Sequence, residues 1–185
     1  MGLSTHDSAA PEATVVLVGN PRPGSRTARA ALRVAEVLTP DATPRLVDLA
    51  VFGPAVLDPD SPEVAAAMAE VAAARLLVVA SPVYKGAATG LLKAFLDRYG
   101  PEALRGVIAQ AVMVGASPAH APAVETTLRP VLVELGAVCP VTGLYLREQV
   151  LEALGTDEDP VTAWADTFAW PLHAALDHRV LAASA

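Results

Sequence analysis

Residues 14–38, "TVVLVGNPRPGSRTARAALRVAEVL", decide the fold. Their first six, "TVVLVG" (14–19), are a continuous branched apolar run closed by glycine, the mark of a strand buried on both faces. Residues 25–38 place Ala28, Ala31, Leu32, Ala35 and Leu38 at helical spacing behind Ser25, a suitable N-cap. Between them lies "GNPRPGSRT" (19–27), a polar, proline-containing turn that runs straight into the helix start. Strand, polar turn and helix form the opening unit of a parallel α/β sheet.

The alternation continues along the chain. Further strands are predicted over 44–49, 75–81, 107–117 and 137–146, the middle two fully apolar. Helices are predicted over 61–74, 89–100, 121–136 (with a kink before Pro130) and 160–170, after which Pro171 kinks or restarts the helix. Residues 51–63 read as a proline-rich surface loop. Leu91, Leu92, Phe95 and Leu96 form an apolar stripe, expected to face the core, with a dimer interface as second choice. Trp164, Phe168 and Leu172 recur at i, i+4 and read as core or an oligomer face. Five apolar strands separated by helices imply a doubly wound sheet of order 2-1-3-4-5, whose ligands bind at the carboxyl ends of the strands.

The 185 residues suit one domain, expected over 14–182 behind a disordered tail at 1–13. Lys and Arg total 13 against 20 Asp and Glu, a net charge of −7, which argues against a nucleic-acid partner. No apolar run is long enough to span a membrane, and residues 1–13 lack the basic and apolar regions of a signal peptide. With Cys139 as the single cysteine, no internal disulfide forms, and a reducing, cytoplasmic setting is expected. No His/Cys/Asp cluster has metal-ligand spacing, and Cys139 reads as a small buried hydrophobe.

The predicted order brings three loops to one sheet edge: "GNPRPGSRT" after the first strand, "SPVYKGAATG" after the third and "GASPAHAP" after the fourth. The first matches neither G-x-x-x-x-G-K-[ST] nor G-x-G-x-x-G. It offers side-chain donors instead: Asn20, Arg22, Ser25, Arg26 and Thr27, ahead of a helix N-terminus that itself favours anions. A terminal phosphate, with a charge of about −2, suits them. A solvated turn with an N-cap is the other reading. In the second loop Pro82 adds stiffness, and Val83 and Tyr84 add apolar and aromatic surface. Tyr84 also suits a core role, and Lys85 an ordinary surface charge. In the third, Gly115, Ala116 and Ser117 bring backbone N–H groups near a ring edge. A phosphate at one loop and a flat heterocycle at the others describe flavin mononucleotide (FMN).

Over about residues 14–150, "GNPRPGSRT", "SPVYKGAATGLLKAFLDRYG" and "LRPVLVELGAVCPVTGLYL" resemble the NAD(P)H-dependent FMN reductase family. The likeness is strongest to the branch that supplies reduced flavin to two-component monooxygenases, such as alkanesulfonate systems. The resemblance implies a flavodoxin-like three-layer sandwich and a homodimer or homotetramer with flavin near the subunit interface. It also implies FMN as cofactor and NADPH or NADH as co-substrate, and allows a flavin-dependent monooxygenase as partner. By position, Arg22, Ser25, Arg26 and Thr27 would hold the phosphate, with Asn20 standing where the family usually has serine. Pro82, Val83, Tyr84 and Lys85 would line the isoalloxazine, and Gly115, Ala116 and Ser117 would face its pyrimidine side. His120 matches a histidine of the sulfonate-related branch; it also reads as a loop histidine near a helix start. Ala88 departs from the tyrosine often found there, and this puts the branch's flavin-exchange behaviour in question.

The implied reaction is hydride transfer from NAD(P)H to flavin N5, so no catalytic side chain is assigned. Rival readings are a quinone, azo or metal-ion reductase on the same fold, a flavodoxin-type electron carrier, and a flavin-free relative.

Overall fold

The computed structural model describes residues 13–183. The tail expected over 1–13 therefore lies outside the described residues, apart from Ala13. Five strands, β1 (Thr14–Val18), β2 (Arg45–Asp48), β3 (Leu76–Pro82), β4 (Ile108–Gly115) and β5 (Leu144–Arg147), form one sheet of order β2-β1-β3-β4-β5. Every pairing is parallel. This is the expected topology. It follows from apolar strands that need cover on both faces.

Side chains alternate between two cores. Val15 and Leu17 point to one face and Val16 and Val18 to the other, all fully buried. Helices α2 (Pro62–Ala72), α3 (Gly90–Leu96) and α4 (Arg129–Glu134) cover the first face through Val64, Val71, Leu92, Phe95 and Leu132. Helices α1 (Arg26–Leu38), α5 (Pro160–Phe168) and α6 (Trp170–Ala183) cover the second through Val34, Leu38, Val161, Leu172 and Leu176. Each fully buried Leu or Phe contributes about 1.5–3 kcal/mol to this packing. The apolar stripe of α3 thus belongs to the core, as expected.

Four expectations need correction. The stretch 51–63 is not plain loop: short 3-10 turns occupy Leu49–Val51 and Gly53–Leu57. The strand expected over 137–146 is regular only from Leu144; before it, Val138 makes one isolated bridge to Ile108. Pro140, with no N–H to give, lies between the two contacts. The helix expected over 121–136 opens as a wide turn at Val124–Leu128, and the α-helix begins only at Arg129, with Pro130 in its first turn. Pro130 cannot donate the bond that would continue an α-helical ladder, and the change from wide turn to α-helix falls just before it, where the sequence placed a kink. Finally, Trp164, Phe168 and Leu172 do not form one stripe. The helix ends at Phe168, which is 53% exposed, and restarts at Trp170, while Leu172 is buried.

Candidate functional site

The loop after β1 is shaped by its own polar groups. Asn20 is buried. Its Oδ1 accepts the backbone N–H of Arg22 at 3.0 Å, and its Nδ2 donates to Thr27 Oγ1 at 3.1 Å. Asn20 therefore folds the turn back on itself, a local role for which asparagine is well suited. Gly24 turns with φ +60° and donates its N–H to Oδ2 of Asp48 at 3.1 Å. Ser25 caps α1, its Oγ accepting from Ala28 N at 3.2 Å. The N–H groups of Arg26 and Thr27 at the open end of α1 find no acceptor among the described residues. That end carries partial positive charge.

The second loop is locked to the first. Thr89 caps α3 by accepting from Leu92 N at 3.1 Å, and its hydroxyl donates to the carbonyl of Gly19. Gly19 lies so close to α3 that a Cβ there would come within 2.3 Å of Leu92 Cβ. Tyr84 and Ala87 exchange backbone hydrogen bonds of 2.9 and 3.2 Å across Lys85 and Gly86. Both central residues have positive φ, +54° at Lys85 and +81° at Gly86, the geometry of a tight two-residue hairpin turn. This turn presents Tyr84, 46% exposed, at the sheet edge.

The third loop is braced from β5. Tyr145 donates its hydroxyl to the carbonyl of Ser117 at 2.6 Å. A Cβ on Gly115 would meet that hydroxyl at 2.6 Å, so glycine makes room for the brace. Burial pushes the Tyr145 hydroxyl pKa up, which keeps it a donor. Ser117 caps a 3-10 turn, Pro118–His120, and Nδ1 of His120 is buried without a partner.

A cavity of about 310 Å³ at the carboxyl edge is lined by Asn20, Arg22, Ser25, Arg26 and Thr27 from the first loop, by Pro82 at the end of β3 and by Tyr84 from the second loop. Val114 and Glu148 complete its wall with Pro23. So the structure brings seven of the expected site residues to one space. Val83 instead donates its N–H to Val114 O at 2.8 Å and packs on the core. Lys85, on the turn after β3, Gly115, at the end of β4, and Ala116, Ser117 and His120, on the loop after β4, do not line it. A larger cavity of about 480 Å³ opens at the opposite edge, near Thr14 and Leu76, away from all three loops. The carboxyl edge carries the convergent donors, so the smaller cavity is the functional candidate.

Two participants were not anticipated. Glu148 pairs with Arg26 at 2.7 Å, and Asp48 anchors Gly24. Both come from strand ends far away in sequence, so only the strand order places them. The donor set of this cavity, arginines, hydroxyls and open helix N–H groups, fits a phosphomonoester. Among the described residues there is no metal-binding cluster and no helix long and apolar enough to cross a membrane. Burial pushes the Cys139 thiol pKa up, against a smaller opposing pull from Arg129, which disfavours the thiolate.

Residues 13–151 match the family model described as NADPH-dependent FMN reductase. An FMN reductase (NADPH) of Pseudomonas putida is 40% identical over 98 residues, 52% of this chain and 50% of that protein. An FMN reductase (NADPH) of Escherichia coli is 37% identical over 86 residues, 46% of this chain and 45% of that protein. The chain thus spans about half the length of the curated relatives it matches. A crystal structure of an NADH:FMN oxidoreductase (EMOB), apo form, is similar at a TM-score of 0.74 and 33% identity, covering 93% of this chain and 90% of that one.

Proposed function

The chain belongs to the NADPH-dependent FMN reductase family, and on that premise we propose that it is an NAD(P)H:FMN oxidoreductase whose β1–α1 loop grips the flavin phosphate. One observation carries this reading: Arg22, Ser25, Arg26 and Thr27 converge on a cavity that also reaches Pro82 and Tyr84. Arg22 makes no ion pair among the described residues, which leaves its guanidinium for an incoming anion. When bound, the flavin supplies the hydride-accepting centre.

The protein's part is placement. Arg22, Arg26 and the open N–H groups of α1 hold the phosphate. The Ser25 and Thr27 hydroxyls retain a proton to donate while their oxygens serve the loop. Asn20 acts through the turn it shapes. Pro82, at the end of β3, and Tyr84 border the ring, with Lys85 on the tight turn beside Tyr84 and Val83 supporting them from the core. Gly115, Ala116 and Ser117 offer backbone groups to its polar edge, where the partnerless Nδ1 of His120 gains a hydrogen bond. A homodimer or homotetramer, a cytoplasmic setting, a single domain over 14–182 and a monooxygenase that consumes the reduced flavin complete the proposal.

The test is NADPH and NADH oxidation by the purified protein with and without added FMN. Oxidation that rises with FMN supports the reading. Oxidation indifferent to FMN, from protein shown to carry none, contradicts it.

A further inference from the structure

Arg26 does not face the cavity alone. Its Nη2 donates to Oε2 of Glu148 at 2.7 Å. Glu148 is the first residue after β5, and it too lines the cavity. Its place is fixed by the segment it begins. One turn further along α1, Arg29 donates from Nη2 to the carbonyl of Leu151 at 3.3 Å, and Leu151 is buried in the core beneath α1. The chain after β5 is thereby fastened along the first turns of α1. That helix has no acidic residue in its own first turn. Glu148 supplies a carboxylate to the side chain of Arg26, the first residue of that helix.

We infer that Glu148 is a specificity-determining residue: its carboxylate is an internal stand-in for phosphate, and FMN binds by taking Arg26 from it. This rests on the reading of the β1–α1 loop as a phosphate site. The pair is built to open. The two side chains are 55% and 41% exposed, so it gains little beyond what water and counter-ions would give. A dianionic phosphate outcompetes a monoanionic carboxylate for the same guanidinium. Once displaced, Glu148 still leaves a negative charge beside the phosphate, and this lowers the affinity for FMN. Riboflavin, with no phosphate, neither gains Arg26 nor meets that repulsion. Glu148 therefore sets how firmly the phosphate end is held, and favours FMN that exchanges over FMN that stays.

The test titrates FMN and riboflavin into the full chain and into Glu148→Gln and Glu148→Ala. The alanine variant covers the case in which glutamine keeps a hydrogen bond to Arg26. FMN should bind about three- to tenfold more tightly to the variants, with slower release. Riboflavin affinity should stay within about twofold, which also reports an intact site. If FMN affinity is unchanged or weaker in both variants, or if riboflavin tightens as much as FMN, the role of Glu148 is overturned. The two failures are separable. Equal binding of FMN and riboflavin to the wild-type chain sinks the phosphate loop itself, and Glu148 with it. A wild-type preference for FMN that neither variant strengthens sinks Glu148 alone.

Discussion

Asp48 holds Gly24 in place: its Oδ2 accepts the Gly24 N–H at 3.1 Å while its Oδ1 accepts the Ala50 N–H at 3.2 Å. The residue is buried at the end of β2. One carboxylate thus ties the tip of the β1–α1 loop to the neighbouring strand, with Gly24 at φ +60°. Asp48 therefore positions the loop proposed to hold the phosphate.

Asp48→Ala should cost about 1.5–3 kcal/mol of stability, the scale of hydrogen bonds to a charged group. It should also weaken FMN binding more than riboflavin binding if the loop is the phosphate site, as proposed. Urea unfolding and parallel flavin titrations measure the two effects. Equal weakening of both flavins would mean that Asp48 supports the fold generally and not this loop in particular.

Gly19→Ala probes the seam between the first and second loops. Its new methyl would stand 2.3 Å from Leu92 Cβ, an atom next to the backbone of α3 that cannot swing aside. Overpacking of this kind costs about 1–3 kcal/mol. Thermal unfolding should show a clear loss of stability. A melting temperature equal to wild type would show that the seam is looser than the geometry implies.

Much of this was legible in the chain. "TVVLVG" and "RLLVVAS" announce buried strands because their central residues are apolar on both faces, and β1 and β3 sit side by side at the sheet's centre. Ser25 was recognisable as a cap from its type and place, and it caps. The exact ends were harder. Residues 137–143 look as apolar as a strand, but Pro140 and the approach of Gly143 to Val124 break the ladder before Leu144. Phe168 has helical spacing to Leu172, yet the helix restarts between them, which no periodicity within one helix reveals. Within the site, residues on a single loop were found together. Asp48 and Glu148 were not, because their roles depend on contacts spanning 24 and 122 positions of sequence. Asn20 has a donor's chemistry, but both ends of its amide serve the turn.

Asp159 gives the stability a pH dependence. Its side chain is 1% exposed and meets Arg33 Nε at 2.5 Å. Its oxygens also accept from Gly155 N at 3.0 Å and Val161 N at 2.9 Å, the second capping α5. Burial pulls its pKa up, but the hydrogen bonds and charge of Arg33 and the two backbone donors outweigh this, leaving it below the ordinary value. A carboxyl with a depressed folded pKa stabilises fully above its unfolded value of about 3.9, and loses that contribution as pH falls through the folded one. Asp159→Asn should therefore cost about 1.5–3 kcal/mol near neutral pH. The gap to wild type should narrow as pH drops below about 4. Denaturant unfolding across that range would expose a pH-independent gap, which this account does not allow.

Whether the β1–α1 loop reads a phosphate is tested by the affinity of the wild-type chain for FMN against riboflavin. The two flavins differ only in that group. FMN should bind at least about tenfold more tightly, the worth of roughly 1.4 kcal/mol from one charge-assisted contact. Arg22→Ala and Arg26→Ala should each erase much of the difference. Equal affinities for FMN and riboflavin in the wild-type chain would contradict the account.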